Sequence, residues 1–330
     1  MITKRRSFCT TGLAAVAGAA FGTAPSIGRA NAWPNGTIRF VVGYPPGGTS
    51  DVSARVVGEA VSERLGTLVV VENRPGALGR IATDTVARAK PDGQTFLVGP
   101  GESLFQQALE QKTEIKAGEP LLPVAILTTQ SLVVAAHPAR GWKTLADVVA
   151  AAKLDPQGLS YATPSAGVGT NAIVAELIFR RAGAKVVNVP YKGGGQAVQD
   201  LLGNVVPLGL LGSAPVVPYA KSGKLTLLAV TSKDRDPVLP DVPGMAEAGY
   251  ADIDMAQWFA LFAPPETPKE IIDRMSAAVR AALADPKVVT RLATAALTPV
   301  GGSPEEFARR FEAEGAAWLN AVRTLGLASG

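Results

Sequence analysis

Short apolar runs with the character of β-strands alternate with helical runs along most of this chain. In the first part, strand-like runs lie at 38–43, 68–71, 96–99 and 124–127, with helical spacing of apolar residues at 50–65 and 80–89. A second series follows, with strand-like runs at 131–136, 159–162 and 186–189 and helical runs at 145–153 and 171–182. Alternation over this length predicts an α/β fold with parallel sheets covered by helices on both faces.

The last part of the chain is mostly helical. A strand-like run at 257–263 ends in a proline turn, and helical patterns follow at 269–284, 286–296 and 304–325. Because these helices have little sheet of their own to cover, we expect them to pack back on the first series. Residues 33–130 and 255–330 then form one lobe and residues 131–254 the other. Crossing segments near 131–136 and 255–261 join the two αβ lobes and enclose a cleft that can close on a small ligand.

A glycine turn joins the first strand-like run to the first helical run, with the sequence Tyr-Pro-Pro-Gly-Gly-Thr-Ser-Asp over residues 44–51. Gly47 and Gly48 have no side chains to block a close approach to the backbone. The free amides and the positive end of the helix macrodipole favour an anion at such a place. Ser50 or Asp51 is a candidate cap for the first amides. The turn is therefore a candidate anion site.

A second turn of the same kind, residues 165–171, follows the strand-like run at 159–162 and precedes a helical run. It also satisfies the G-x-G-x-x-A pattern of dinucleotide sites, starting at Gly167. That pattern requires an acidic residue about 20 residues later for the ribose hydroxyls. This chain has Val187-Asn188-Val189-Pro190 there, which argues against a nucleotide. We expect no cofactor.

Two further glycine turns follow strand-like runs. In Tyr191-Lys192-Gly193-Gly194-Gly195 the lysine precedes the glycines, which is the wrong order for a phosphate loop, and we expect the Lys192 side chain to be solvated. In the turn at 99–103, Ser103 is a candidate donor to a ligand. Glu102 has two open interpretations, contact with an ammonium group or exposure to water.

Catalytic residue types are scarce. The chain has one histidine, His137, beside a proline, and one cysteine, Cys9, near the start, so neither a Ser-His-Asp arrangement nor a thiol nucleophile is indicated. No group of His, Cys, Asp or Glu residues has the spacing of a metal site. The sequence favours binding over catalysis.

The first 32 residues have the pattern of an export signal, with Lys4, Arg5 and Arg6, a weakly apolar stretch, and the small residues Ala30-Asn31-Ala32. Arg5-Arg6 fits both an ordinary secretion signal and the twin-arginine pathway, and the two routes stay open. Removal of residues 1–32 takes away four basic residues and lowers the formal net charge from +4 to 0. A neutral mature chain argues against nucleic acid or an anionic membrane as a partner.

Several stretches together resemble the Bug-type solute-binding receptors of tripartite tricarboxylate transporters. The stretches are 46–51 with Ala54-Arg55, 71–77, 87–93, 189–194, 239–243 with 247–249, and Trp258-Phe259 with 262–264. The resemblance implies a bilobed, type II periplasmic binding fold with no enzymatic activity. It also implies a periplasmic, monomeric receptor that closes on a small organic acid and delivers it to a membrane permease.

In such receptors a carboxylate lies against the first-lobe and second-lobe turns, partly through ordered water. The resemblance and the turns together give these candidate ligand-binding residues: Tyr44, Pro46, Gly47, Gly48, Thr49, Asp51, Gly101, Ser103, Ser165, Gly167, Val168, Gly169, Thr170, Asn171 and Tyr191. Ile173 stands where the family usually has histidine, Pro207 where it has aspartate, and Leu211 near a usual polar position. The cleft is therefore expected to be less polar than usual, which disfavours a compact tricarboxylate.

Two other functions stay open on the sequence alone. One is an exported nucleotide-dependent oxidoreductase that uses the turn at Gly167, and the other is a receptor that informs a membrane sensor.

We predict that export removes residues 1–32, because small residues at Ala30 and Ala32 suit a signal peptidase and Trp33 follows them. The mature chain should begin at Trp33. Intact-mass measurement of protein recovered from the periplasm checks this, and a chain that starts elsewhere would contradict the predicted site.

Overall fold

The structure of the protein, a computed structural model, describes residues 33–155, 157–164 and 168–327. The expected export signal lies outside these residues. Over the described part of the chain, none of the helices combines the length and apolarity needed to cross a bilayer.

The strands alternate with helices through the first two thirds of the described chain. The strands are β1 (Ile38–Val42), β2 (Val69–Asn73), β3 (Thr95–Pro100), β4 (Leu122–Ala136), β5 (Leu159–Thr163), β6 (Val186–Pro190), β7 (Leu208–Gly212), β8 (Thr226–Val230), β9 (Ala256–Ala263) and β10 (Thr298–Gly301). The helices are α1 (Thr49–Leu65), α2 (Arg80–Ala87), α3 (Glu102–Gln111), α4 (Leu145–Leu154), α5 (Thr170–Arg181), α6 (Gly194–Leu202), α7 (Ser213–Lys221), α8 (Lys269–Leu283), α9 (Pro286–Thr294) and α10 (Pro304–Thr324).

The strands form a mixed sheet in the order β2-β1-β3-β9-β4-β7-β5-β6, with β8 and β10 also paired to β4. Strands β1, β2 and β3 are parallel to one another, as are β5, β6 and β7. Strand β3 of the first group is antiparallel to β9, and β7 of the second group is antiparallel to β4. Strands β9 and β4 are antiparallel to each other. The expectation of parallel sheets is therefore confirmed within each group of three strands and fails at the centre of the molecule, where the two longest strands, β4 and β9, are antiparallel to their neighbours.

Strand β4 is the main difference from the sequence-based expectation, which divided it into two strands. It is one strand of 15 residues, paired with β9 and β10 up to Ser131 and with β7 and β8 from Leu132 onwards. Of the polar residues in its middle, Thr128, Gln130 and Ser131 are buried and Thr129 is half-buried. The Thr128 hydroxyl lies 3.0 Å from the Ser53 hydroxyl. The lobe boundaries, 33–130 with 255–330 against 131–254, stay a prediction.

Both faces of the sheet are covered. In β1, Phe40 and Val42 join the apolar cluster that includes residues of α1 and α8, whereas Val41 joins the cluster on the other face with α2, α3 and α10. In β4, Val134 and Val133 likewise belong to clusters on opposite faces. Successive side chains of a strand point to opposite faces, so apolar residues at consecutive positions require two covering layers.

An aromatic cluster lies under the start of α3. The Trp258 ring in β9 packs edge-on against Phe307 of α10, with the ring centroids 5.5 Å apart. The backbone of Gly101 lies directly against this indole, because an ideal Cβ at Gly101 would come within 1.8 Å of a Trp258 ring atom. Gly101, a candidate ligand-binding residue, thus lies where the indole leaves no room for a side chain.

Gly101→Ala should lower the free energy of unfolding by about 1–3 kcal/mol or more, because the added methyl overlaps the Trp258 ring. Gly99→Ala is the matched control, since an ideal Cβ at Gly99 has no heavy atom within 4 Å. Urea denaturation followed by circular dichroism measures both. Equal stability of the two variants would contradict the packing argument.

Candidate functional site

A cavity of about 460 Å³ lies where the glycine turns of the two halves of the sheet face each other. Its volume is within the range of small-molecule sites. Apolar residues and glycines form most of its wall, and the polar side chains are few. The lining residues are Tyr44, Pro45, Pro46, Gly48, Thr49, Ser50, Pro100, Glu102, Gln130, Pro164, Lys192, Gly193, Gly194, Gly195, Gln196, Gly212, Pro215, Gln257 and Phe259.

Four helices begin at this cavity. The first-turn residues of α1 and α6 form part of its wall, and so do Glu102 at the start of α3 and Pro215 in the first turn of α7. The first amides of a helix have no partner within the helix, and its N-terminus carries a partial positive charge. The starts of α1, α6 and α7 around one space make it attractive to an anion, whereas Glu102 places a carboxylate at the start of α3. The sequence pointed to the turns before α1, α3 and α6 but not to the start of α7.

Asp51 stabilises the turn before α1 through hydrogen bonds on the side away from the cavity. Gly47 has a φ of +81°, a conformation that favours glycine, and its amide donates to Asp51 Oδ2 at 3.0 Å. The same carboxylate accepts from Asn73 Nδ2 at 2.9 Å and from Arg55 Nε at 3.0 Å. Gly48 is the N-cap residue and no side chain caps the helix, so the expectation of a Ser50 or Asp51 cap is wrong.

Asp51 is buried with both oxygens engaged, and it lies behind the lining residues of the cavity. Burial by itself opposes ionisation, yet the hydrogen bonds from Arg55, the Gly47 amide and Asn73 hold the pKa of the Asp51 carboxyl below its usual range. Asp51 therefore shapes the turn, whereas Tyr44, Pro46, Gly48 and Thr49 present their atoms to the cavity.

Two glutamines cross the floor of the cavity. Gln130 of β4 and Gln257 of β9 are directly paired in the sheet, and Gln130 Nε2 donates to Gln257 Oε1 at 3.0 Å. Gln130 also exchanges bonds with the Thr49 hydroxyl, and its Oε1 accepts from the Ala214 amide at 3.3 Å. The pair thus connects the starts of α1 and α7. Sequence analysis missed both residues, although each interrupts an apolar strand.

Glu102 continues this network into the second half of the molecule. Its Oε1 accepts from Gln257 Nε2 at 2.6 Å, and its Oε2 accepts from the Thr170 amide at 2.8 Å and from the Thr170 hydroxyl. The residue is only 9% exposed, so of its two open interpretations the one in which it faces water is wrong. The N-terminus of α5 does bind a carboxylate, but this carboxylate belongs to the protein.

Tyr44 and Ser103 form a contact beside the cavity. The Tyr44 hydroxyl lies 2.7 Å from Ser103 Oγ. Burial raises the pKa of the Tyr44 phenol far above its usual range; the Ser103 bond opposes this shift and the nearby Glu102 charge adds to it. Tyr44 is therefore a neutral hydroxyl at physiological pH, able to donate or accept a hydrogen bond.

Other predicted residues lie away from the cavity wall. Asn171 is buried and donates to the Leu210 carbonyl at 2.8 Å, while Val168 packs against an apolar cluster. Gly169 is the N-cap residue of α5. The Tyr191 hydroxyl donates to Asp200 at 2.7 Å, and burial together with that carboxylate raises the pKa of Tyr191 to about 12. Ser165 and Gly167 lie outside the described residues.

Lys192 is exposed and lines the cavity at its edge. Arginine is absent from the described residues that line this cavity. Within the same described part of the chain, no group of three or more His, Cys, Asp or Glu residues is placed to hold a metal ion.

Comparison with known proteins agrees with this geometry. A family profile described as "Tripartite tricarboxylate transporter family receptor" matches residues 53–327. The chain belongs to this receptor family. It is 35% identical to protein BugT of Bordetella pertussis over 299 residues, which are 90% of this chain and 91% of BugT.

Solved structures show the same fold. The structure of R. palustris Rpa4515 with adipate has a TM-score of 0.81 and 29% identity, and the match covers 89% of this chain and 99% of Rpa4515. MatC from Rhodopseudomonas palustris with bound malate has a TM-score of 0.78 and 29% identity, over 88% of this chain and 99% of MatC. The protein thus has the bilobed type II fold of periplasmic binding proteins, as the sequence resemblance implied.

Asp51→Asn should lower the free energy of unfolding by about 1–3 kcal/mol at neutral pH, because the Gly47, Asn73 and Arg55 donors lose a charged acceptor. A carboxyl whose pKa is depressed by folding stabilises above its unfolded pKa of about 3.9, and this contribution disappears as the pH falls through the folded pKa. The difference between wild type and variant should therefore shrink in acid.

Urea denaturation at neutral pH and in acid measures this difference. Asp84→Asn, which alters a carboxylate with 47% side-chain exposure on α2, is the control and should have little effect at either pH. A loss for Asp51→Asn that does not change with pH would contradict the role of the charge.

Proposed function

We propose that this protein is a periplasmic receptor that captures a small organic acid between its two lobes and delivers it to the permease of a tripartite tricarboxylate transporter. The main observation in favour is the convergence of α1, α6 and α7 on one cavity with their positive ends. Membership of the receptor family and the relatives that hold adipate and malate support the same proposal.

The ligand carboxylate is held by backbone amides, hydroxyls and water at the Tyr44–Asp51 turn. Gly48 and Thr49 line the cavity at the start of α1, where the free amides of the helix are expected. No arginine is available among the described lining residues, and Lys192 is exposed at the edge. An amide-lined site of this kind binds an anion without a fixed positive side chain.

The second-half turn at 165–171 has a smaller part in this proposal than the resemblance implied. The α5 start already has Glu102 as its acceptor, and Thr170 is bonded to it. The glycine turn at Gly193, Gly194 and Gly195 lines the cavity instead. We therefore place the opposing contacts at the start of α6.

The proposal involves binding and release without chemical change of the ligand. The polar lining groups are amides, hydroxyls, one lysine and one bonded carboxylate, and the described residues offer no histidine or cysteine at the cavity. The receptor is expected to act as a monomer that meets its permease after it has closed.

A small carboxylate in hundredfold excess over its dissociation constant should stabilise the protein by about 2.7 kcal/mol, because it binds only the folded state. A thermal-shift screen with mono-, di- and tricarboxylates, sugars and nucleotides checks this. Calorimetry should then show that Gly48→Val abolishes binding of the selected acid, since the new side chain enters the carboxylate space.

The fold itself leaves room at this position, because an ideal Cβ on Gly48 meets only the Pro45 carbonyl oxygen, at 3.5 Å. Lys192→Ala is the comparison variant and should weaken binding less than Gly48→Val. If only sugars or nucleotides shift the melting temperature, or if folded Gly48→Val protein binds normally, the proposed site is wrong. Uptake of the same acid by cells that lack the gene then tests delivery to the permease.

A further inference from the structure

The carboxylate of Glu102 lies in the wall of the ligand cavity, in the position that a ligand carboxylate would take at the start of α5. It accepts the Thr170 amide at 2.8 Å and the Thr170 hydroxyl through one oxygen. A helix N-terminus offers its strongest attraction to an anion at this amide. Because Glu102 already occupies it, the attraction of this helix end for anions is satisfied within the protein.

The Glu102 side chain is held in this position by a chain of hydrogen bonds. Its second oxygen accepts from Gln257 at 2.6 Å, and Gln257 in turn accepts from Gln130 at 3.0 Å. Gln130 is fixed by the Ala214 amide at 3.3 Å. Turning the Glu102 carboxylate away would leave its three donors without an acceptor.

The cavity has two ends, on either side of the glutamine pair, because Gln130 bonds Thr49 at the start of α1 and Gln257 bonds Glu102. These two ends differ in charge. At the Gly48 end the helix start and the exposed Lys192 favour an anion. At the Glu102 end, a second carboxylate of the ligand would lie close to the negative charge of Glu102. Two like charges in a partly desolvated cleft repel each other strongly. Between the ends, the wall is rich in proline and contains the ring of Phe259.

We propose that Glu102 restricts the ligand to a single carboxylate, whose remaining part is uncharged and partly apolar. This inference rests on the proposed function and adds a ligand class to it. The carboxylate lies at the start of α1, the apolar body lies against the prolines and Phe259, and the far end has room for a hydrogen-bond donor but no second anion. The class differs from the dicarboxylates held by Rpa4515 and MatC.

The experiment compares pairs of acids that match in length and differ in one carboxylate: butanoate with succinate, pentanoate with glutarate, and hexanoate with adipate. Calorimetry at constant pH and ionic strength should show that wild type binds the monocarboxylate of the best pair roughly tenfold or more tightly than its partner. Glu102→Gln keeps the size of the side chain and removes its charge. In that variant the preference should fall by roughly tenfold.

Glu110→Gln is the matched control, because Glu110 lies on the same helix with a side chain that is 54% exposed, and it does not line the cavity. Its preference should equal that of wild type. The inference is overturned if wild type binds the dicarboxylates equally well or better, or if Glu102→Gln and Glu110→Gln give the same ratio. Should the E102Q protein not fold, equal or tighter binding of the dicarboxylates by wild type would still overturn the inference.

Failure of the proposed function gives a different result. If neither member of any pair binds wild type, and no other carboxylate shifts its melting temperature, the carboxylate receptor is wrong and the inference falls with it. If dicarboxylates bind and monocarboxylates do not, the receptor stands and only the role of Glu102 is refuted.

Discussion

The bond between Glu102 and the start of α5 is the contact on which the shape of the cleft depends. A buried charge is costly unless donors surround it, and this carboxylate receives donors from Thr170 and Gln257. The position of the Glu102 carboxylate follows from packing. The Gly101 backbone lies against the Trp258 ring, and this contact determines where α3 begins. The Trp258 ring under α3 thus determines where the Glu102 carboxylate contacts the start of α5, 68 residues further along the chain.

The central strands β4 and β9 extend the hydrogen-bond network of Glu102 across the molecule. Gln130 and Gln257 lie opposite each other on β4 and β9, and their amide groups connect the starts of α1, α3 and α7. Each amide offers both a donor and an acceptor, so a pair of them can join helix ends without introducing charge. The helix dipoles therefore converge on the cavity while the floor beneath it stays neutral.

The sequence predicted the alternating elements and the α1 turn because these features depend on neighbouring residues. It predicted two strands where β4 is one, because Thr128, Thr129 and Gln130 interrupt the apolar pattern; the burial of Thr128 and Gln130 depends on partners in α1 and β9. The sequence left Glu102 with two open interpretations for the same reason. A lone acidic residue after a glycine turn does not indicate its partner, and only the fold reveals that Thr170 lies within bonding distance.

The origin of the attraction in the cleft has an evolutionary consequence. In the proposed function, affinity for the carboxylate comes mostly from helix starts, which belong to the backbone and remain when side chains change. Selectivity at the other end is proposed to depend on individual side chains such as Glu102. A scaffold of this kind can change its ligand specificity through single side-chain substitutions, because the helix starts still attract the carboxylate. Adaptation to a new carbon source then needs few mutational steps.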